Sequence, residues 1–305
     1  MKATDWMARW NAPDAPSAVW QVRRWLLEGA PRPEGLAQVD GRWDLRGLPL
    51  STVPVSAGFD EALDSIRWES LDLRYATMDA MRLYGVRLSD CLFDHASAQD
   101  SRIWGGVVED CSLRGADLRG SSLTPGEHQG RRTRWENVDF GRAKMRASRM
   151  KEADLVRCTF LNASDIRFQN CTFQECSFVG PLRGVNIAFL PDLACGPQSP
   201  RRLGVDFREA VFHDSVIRNY DLRDTIFPSQ EDFFICQDYV SVLRRGIELV
   251  EEVDGERGVQ LRGIFEDELK ISLKGAGSCF DLRGVDQQMR VIWQDLLARA
   301  VRDVS

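Results

Sequence analysis

The sequence predicts a repeat solenoid with helical ends, and three observations predict it. First, from residue 66 to residue 123 an apolar or small residue returns at every fifth position without a slip, flanked mostly by polar or charged residues. Second, the chain has 305 residues, long for one compact domain and suited to a stack of units that each pack on their neighbours. Third, the five-residue frame ends near residue 229 and helix-like patterns follow. A helix repeats its faces near 3.6 residues and a strand at 2, so a period of five must build something else.

Residues 1–65 hold a helix, SAVWQVRRWLLEGA, with Ser17 as its N-cap, Trp20, Trp25, Leu26 and Leu27 near one face, and Gly29 and Pro31 ending it. It is expected to cap the solenoid. The stretch GRWDLRGLPL reads as two degenerate words around Leu45 and Leu50. Residues 66–229 carry the clean words, such as CSLRG and ADLRG, whose third residues form the expected core: Leu73, Phe93, Leu113, Leu118, Phe140, Phe173 and Phe212. The frame slips near Ala163 to Asp165 and is interrupted by two loops, 124–132 and 181–204, the second holding a possible further word, VNIAF. Residues 230–305 read as mainly helical, in EDFFICQDYVSVLRRGIELVEEV and DQQMRVIWQDLLARAVRDV.

The words resemble the pentapeptide-repeat family, whose pattern is a small residue, a polar residue, Leu or Phe, and two mostly polar residues. The resemblance runs from Ile66 to Phe227. It implies a mainly β fold: a right-handed, four-sided parallel β-helix, with one word per side and four words per coil. Residues twenty apart should then stack at about 4.8 Å. Cys91 falls over Cys111, Arg67 over Arg87, Tyr84 over Trp104, and Arg74, Asp94 and Arg114 alternate in sign.

Five of the eight cysteines, Cys91, Cys111, Cys158, Cys171 and Cys176, occupy the small first position of a word, where a thiol acts as a small hydrophobe. Disulfides and metal sites are not expected, because no cysteine pair has zinc-site spacing and there are three histidines. No catalytic constellation or phosphate-binding glycine loop stands clear of the repeat, so neither an enzyme nor a cofactor is expected. His95 and His213 fall at outward positions, and His128 sits in the first loop. The opening MKATDWMARW has no apolar signal core and no run approaches membrane-spanning length, so a cytoplasmic location without membrane attachment is expected.

The expected function is a protein-interaction scaffold with a partner of unknown identity. The resemblance supplies an alternative, mimicry of DNA to protect a type II topoisomerase, DNA gyrase, from drugs or toxins. Mimicry needs a long anionic surface, whereas acids and bases nearly balance along the words and the net charge of the whole chain is -6. Nucleic-acid binding is not expected either, because no basic stripe appears along the words. The partner site is expected where Tyr84 and Trp104 stack below the first loop, joined by Arg131 and Arg132 from that loop. A homodimer through the last helix is a further expectation, from its stripe of Met289, Ile292, Trp293, Leu296, Leu297 and Val301.

Overall fold

The computed structural model describes residues 3–12, 15–51, 63–64, 66–125, 130–190, 199–229, 233–253, 255–281 and 287–304. Each word bends at its fifth residue. From Ser70 to Gly120 every fifth residue has a left-handed backbone, Ser70, Tyr75 and Ala80 opening the series and Gly105, Asp110, Gly115 and Gly120 closing it. That conformation costs a residue with a Cβ about 1–2 kcal/mol, so Gly, Asp and Asn hold many of the corners. At Gly115 space adds to the demand, because a Cβ there would lie 2.6 Å from Nδ1 of His95, one coil below.

Between corners the chain is extended, so side chains alternate across it. The first and third residues of a word point into the tube and the second and fourth point out. Parallel pairing then stacks coil on coil: Arg67 with Arg87, Trp68 with Leu88, Glu69 with Ser89 on a first side, and Leu83 with Ile103, Tyr84 with Trp104 on a fourth. The chain is thus a four-sided parallel β-helix, mainly β as expected. Leu73, Phe93, Leu113, Leu118, Phe140, Phe173 and Phe212 all lie inside it, none more than 5 % exposed.

The second side stacks Phe140 on Phe160 at 4.8 Å between ring centroids, Phe160 on Phe178 at 4.5 Å and Phe178 on Phe207 at 5.2 Å. Ring spacing therefore matches strand spacing, and each stacked pair adds about 0.5–1.5 kcal/mol beyond its buried area. The small first position links coils as well. The Ser101 hydroxyl donates to the Met78 carbonyl at 2.8 Å and accepts from the Met81 amide at 3.2 Å; Ser121 and Ser148 donate to Ala98 and Leu118. The five first-position cysteines are free and buried, and burial pushes the Cys171 thiol up to about 12.

Two irregularities change the stacking distance. In the coil from Val108 to Trp135, which pair on the first side, seven extra residues are accommodated at the first loop. Beyond it, Ala163 to Asp165 form a three-residue third side, with left-handed corners at Asn162 and Asp165, so Met150 pairs with Phe168 only eighteen residues on. The second loop is shorter than the sequence suggested. Leu182 pairs with Phe212 on the third side, and Asn186–Ala188 form a fourth-side strand whose Ile187 is buried. Coil structure thus continues through residues 181–190, because Leu182 and Ile187 keep the anchor spacing; residues 191–198 lie outside the described residues.

Helices cap both ends. Helix α1 spans Ala3–Ala8 and α2 spans Ala15–Glu28, so α2 begins two residues before Ser17, which is not its N-cap. Gly29 ends α2 in a left-handed conformation, and the Ala30 amide returns to the Arg24 carbonyl. Val22 and Leu26 bury onto the first coil, and the Trp68 indole donates to the Leu26 carbonyl at 3.0 Å. Trp20 does not join that face; it is 57 % exposed, with the Arg24 guanidinium over its ring. Leu45 and Leu50 are fully buried, and Asp44 pairs in parallel with Asp72.

At the other end the parallel stack is closed by two antiparallel strands that are distant in sequence, Phe233–Cys236 and Gly277–Asp281, the latter pairing Cys279 with Ile217. Phe233–Cys236 is therefore a strand and not the start of a helix. Helix α3, Tyr239–Leu249, starts after it, capped by Asp238 accepting from the Ser241 amide. Helices α4, Glu256–Ile271, and α5, Gln287–Val304, complete a second core around Leu243, Leu261, Phe265, Leu296 and Leu297.

Words of the form Asp-apolar-Arg carry their own ion pair, because residues two apart on an extended word face the same way. Asp72 holds Arg74, Asp117 holds Arg119, Asp206 holds Arg208 and Asp221 holds Arg223, each with the guanidinium and the backbone amide of the arginine donating to one carboxylate. These arginine hydrogen bonds hold Asp117, Asp206 and Asp221 below the usual carboxylate range. At Asp44 burial opposes ionisation, yet hydrogen bonds from Arg46 and Arg9 overcome it and keep the carboxyl low.

Replacing Phe93 with Asp should destabilise the central coils by several kcal/mol, since an unpaired charge would sit in the core; a urea melt checks this, and an unchanged midpoint would contradict the assignment. Acid should weaken the fold as well. A depressed carboxyl stabilises the folded state above the unfolded carboxylate range near pH 4, and that contribution disappears as pH falls through the lower folded value. The melting temperature is therefore expected to be level between about pH 5 and 7 and to fall progressively below about pH 4.

Candidate interaction surface

The second and fourth residues of the words make the outer columns, and the four sides differ in what those columns hold. On the first side arginines meet acids: Arg134 and Arg157 donate to Glu136, and Arg87 lies 3.9 Å from Glu109. The hydrogen bonds from Arg134 and Arg157 draw Glu136 below the usual range. On the second side the Asp-apolar-Arg words neutralise themselves.

The fourth side is different. After Leu63–Asp64, which pairs with the first of them, its strands run Arg82–Tyr84, Arg102–Trp104, Ser122–Pro125, Arg149–Lys151, Arg167–Gln169 and Asn186–Ala188. Pairing places Arg82 with Arg102, Arg102 with Ser122, Ser122 with Arg149, and Arg149 with Arg167. None of the strands from Arg82–Tyr84 onward contributes an acid. Arg149 and Arg167 are exposed, and among the described residues neither has an ion-pair partner. Lys151 reaches the corner Glu152 at 3.7 Å. Arg102, Trp104, Ser122, Arg149, Lys151, Arg167 and Gln169 line a groove of about 440 Å³.

The expected partner site is divided by this geometry. Tyr84 and Trp104 do stack, with centroids 4.8 Å apart and an interplanar angle of 26°, but Tyr84 is only 3 % exposed and Trp104 is half-buried. Arg131 and Arg132 lie round the corner. They line a separate groove with Arg67, Arg87 and Arg134 of the first side. Arg132 is spent within the chain, donating to Asp154 at 2.9 Å and to the Ala153 and Asn170 carbonyls. Trp104 and the two arginines therefore line different grooves, the arginine groove reaching the corner held by Gly85 and Gly105. Residues 126–129, with His128, lie outside the described residues. His95 is exposed and stacks on Tyr75 at 5.3 Å, and His213 is half-buried.

Arg149 and Arg167 were not singled out in the sequence because a strict period of twenty places Arg142 after Ser122. The only available signal was their second position in RMK and RFQ, the position also held by Arg82 and Arg102.

A further groove, of about 780 Å³, crosses from the first side to the second near the C-terminal end of the tube. Its floor opens at Gly204, where a Cβ would meet the Phe173 carbonyl oxygen at 3.1 Å. Thr172, Glu175, Arg202, Asp206, Asp224 and Ile226 border it. Arg202 donates to Asp224 at 2.8 Å, and Ile226 is 46 % exposed. Among the described residues no group of three or more His, Cys, Asp or Glu side chains is placed to hold a metal.

No protein-family model matches the chain, and no curated protein does. Among solved structures it is similar to QnrB1, a plasmid-mediated fluoroquinolone resistance protein, at 13 % identity over 54 % of this chain and 75 % of that one, with a TM-score of 0.27. It is also similar to HetL, a pentapeptide-repeat protein involved in heterocyst differentiation regulation from the cyanobacterium Nostoc sp. strain PCC 7120, at 20 % identity over 56 % of this chain and 86 % of that one, with a TM-score of 0.20. Scores this low carry no argument about function. The five-residue frame, the left-handed corner at every fifth residue and the parallel stacking of successive coils are the chain's own, and they give it the four-sided parallel β-helix fold that its five-residue words implied.

Proposed function

We propose that the chain is a non-enzymatic scaffold that binds a protein partner on the outside of its β-helix. The observation that carries this is the filled interior. The space enclosed among Trp68, Met78, Phe93, Leu113 and Trp135 is about 40 Å³, room for about one water and far below a ligand pocket of roughly 300–1,000 Å³. Recognition therefore falls to the outer sides. The groove at Gly204 suits a protein segment best, because it combines charges of both signs with exposed Ile226, the mixture found at the rim and core of interfaces.

DNA mimicry is the second reading, and charge weighs against it. The acids that would stand in for phosphates are held by arginines, and the fourth side presents cations. A homodimer through α5 is weakened because Leu296, Leu297 and Ala300 are buried against the chain's own helices; the side chains of Met289, Ile292 and Trp293 lie outside the described residues. No described helix is long and apolar enough to cross a membrane, and the buried free thiols accord with a reducing, cytoplasmic setting.

Affinity capture with the full chain from its source cell is expected to retain a protein that is lost with the double variant Arg202→Glu/Ile226→Asp, while DNA gyrase supercoils at an unchanged rate beside equimolar protein. Retention unaffected by the variant would overturn the groove assignment. Inhibited supercoiling, or relief of drug poisoning at stoichiometric concentration, would replace the scaffold with mimicry.

A further inference from the structure

We propose that the fourth side binds the phosphate backbone of single-stranded nucleic acid. The absence of a basic stripe, read from the words alone, does not survive folding. The stripe is built by stacking, as Arg82, Arg102, Arg149 and Arg167 fall into one column with Ser122 between the two pairs. Lys151 stands beside it, two residues from Arg149 on the same strand. Five cations thus share one side, on which the strands from Arg82–Tyr84 to Arg167–Gln169 supply no acid; the strand Leu63–Asp64, paired with Arg82–Tyr84, brings one at the N-terminal end. Lys144 and Arg146, exposed on the preceding word, widen the basic field toward the third side.

The chemistry selects a phosphate chain. Guanidinium groups present planar forks that match phosphate oxygens, and cations repeated at the strand spacing of about 4.8 Å suit a polymer with regularly repeated anions better than a single anion. Trp104 lies in the same groove as Arg102, Arg149, Lys151 and Arg167. An indole beside a row of cations is the combination by which proteins hold single strands, the cations tracking the backbone and the ring taking an unpaired base. The ring already stacks on Tyr84 and has the Arg102 guanidinium 5.4 Å from its centroid, so a base would extend that stack; an acidic polypeptide brings no base, and in a duplex the bases are already stacked.

This proposal concerns a different side and a different class of partner from the groove at Gly204, so either can fail alone. The test is fluorescence anisotropy of labelled oligo(dT) of about twenty nucleotides with the full chain, at about 50 mM salt and upward. Saturable binding is expected, with log K falling linearly against log salt. The double variant Arg149→Ala/Arg167→Ala should lower the affinity at least tenfold and flatten that slope by about 1.4, roughly 0.7 for each lost phosphate contact. Arg208→Ala, on the second side, should change neither. Circular dichroism melts check that the variants fold, and Arg149→Gln/Arg167→Gln reads the same quantity should the alanine pair not fold. No saturable binding, binding unchanged in the double variant, or tighter binding of a duplex or of polyglutamate would overturn the proposal.

Discussion

A left-handed residue at the end of each word is the constraint on which the rest of the structure depends. It turns the chain through a corner after only four residues, too soon for a strand to build a face of its own, and so gives every word the same orientation relative to the tube. Once the corners are set, the first and third residues must point inward and the second and fourth outward. The backbone groups of each short strand then find partners only in the coils above and below, so pairing, packing and surface pattern all follow from one repeated turn.

The interior illustrates how little variation that constraint permits. Coils repeat at the strand spacing, so side chains in a column meet at that spacing, and flat rings answer it well. Phe140, Phe160, Phe178, Phe207 and Phe227 form a continuous ladder on one side. The first position of a word takes mostly Ser, Cys, Ala and aliphatic residues, with the buried ring of Tyr220 an exception. Where a serine stands there, its hydroxyl joins two coils; where a cysteine stands there, the thiol packs, and at Cys171 burial pushes it up. A core of this kind is filled by its own side chains, so a partner meets the outer columns.

The ends obey a different requirement. A stack of parallel strands finishes in unpaired backbone groups, a template for association. At the start, α2 lies across the first coil and receives the Trp68 indole. At the end, the antiparallel pair Phe233–Cys236 and Gly277–Asp281 closes the stack, the second strand running against Val216–Asp221, and Asn219 ties Val216–Asp221 to the end of α4 through the Ile271 carbonyl and the Leu273 amide.

The sequence by itself determined the period, the core and the fold class. These depend on residues five apart, and a frame without slips from residue 66 to residue 123 leaves one way to bury its anchors. It also marked the slip at Ala163 and the extra word at Ile187. The first residue of α2, the strand at Phe233 and the sharing of the expected patch between two grooves were decided only by the tertiary structure. Residues that face each other across coils depend on every insertion and deletion between them. Seven residues added at the first loop, and two removed at the shortened third side, bring Arg102, Arg149 and Arg167 into one column, while Arg131 and Arg132 line a different groove from Trp104. A constant period of twenty cannot express either event. The surface of a solenoid is legible in sequence while the count per coil holds, and after that only the stacking of the coils says which charges are neighbours.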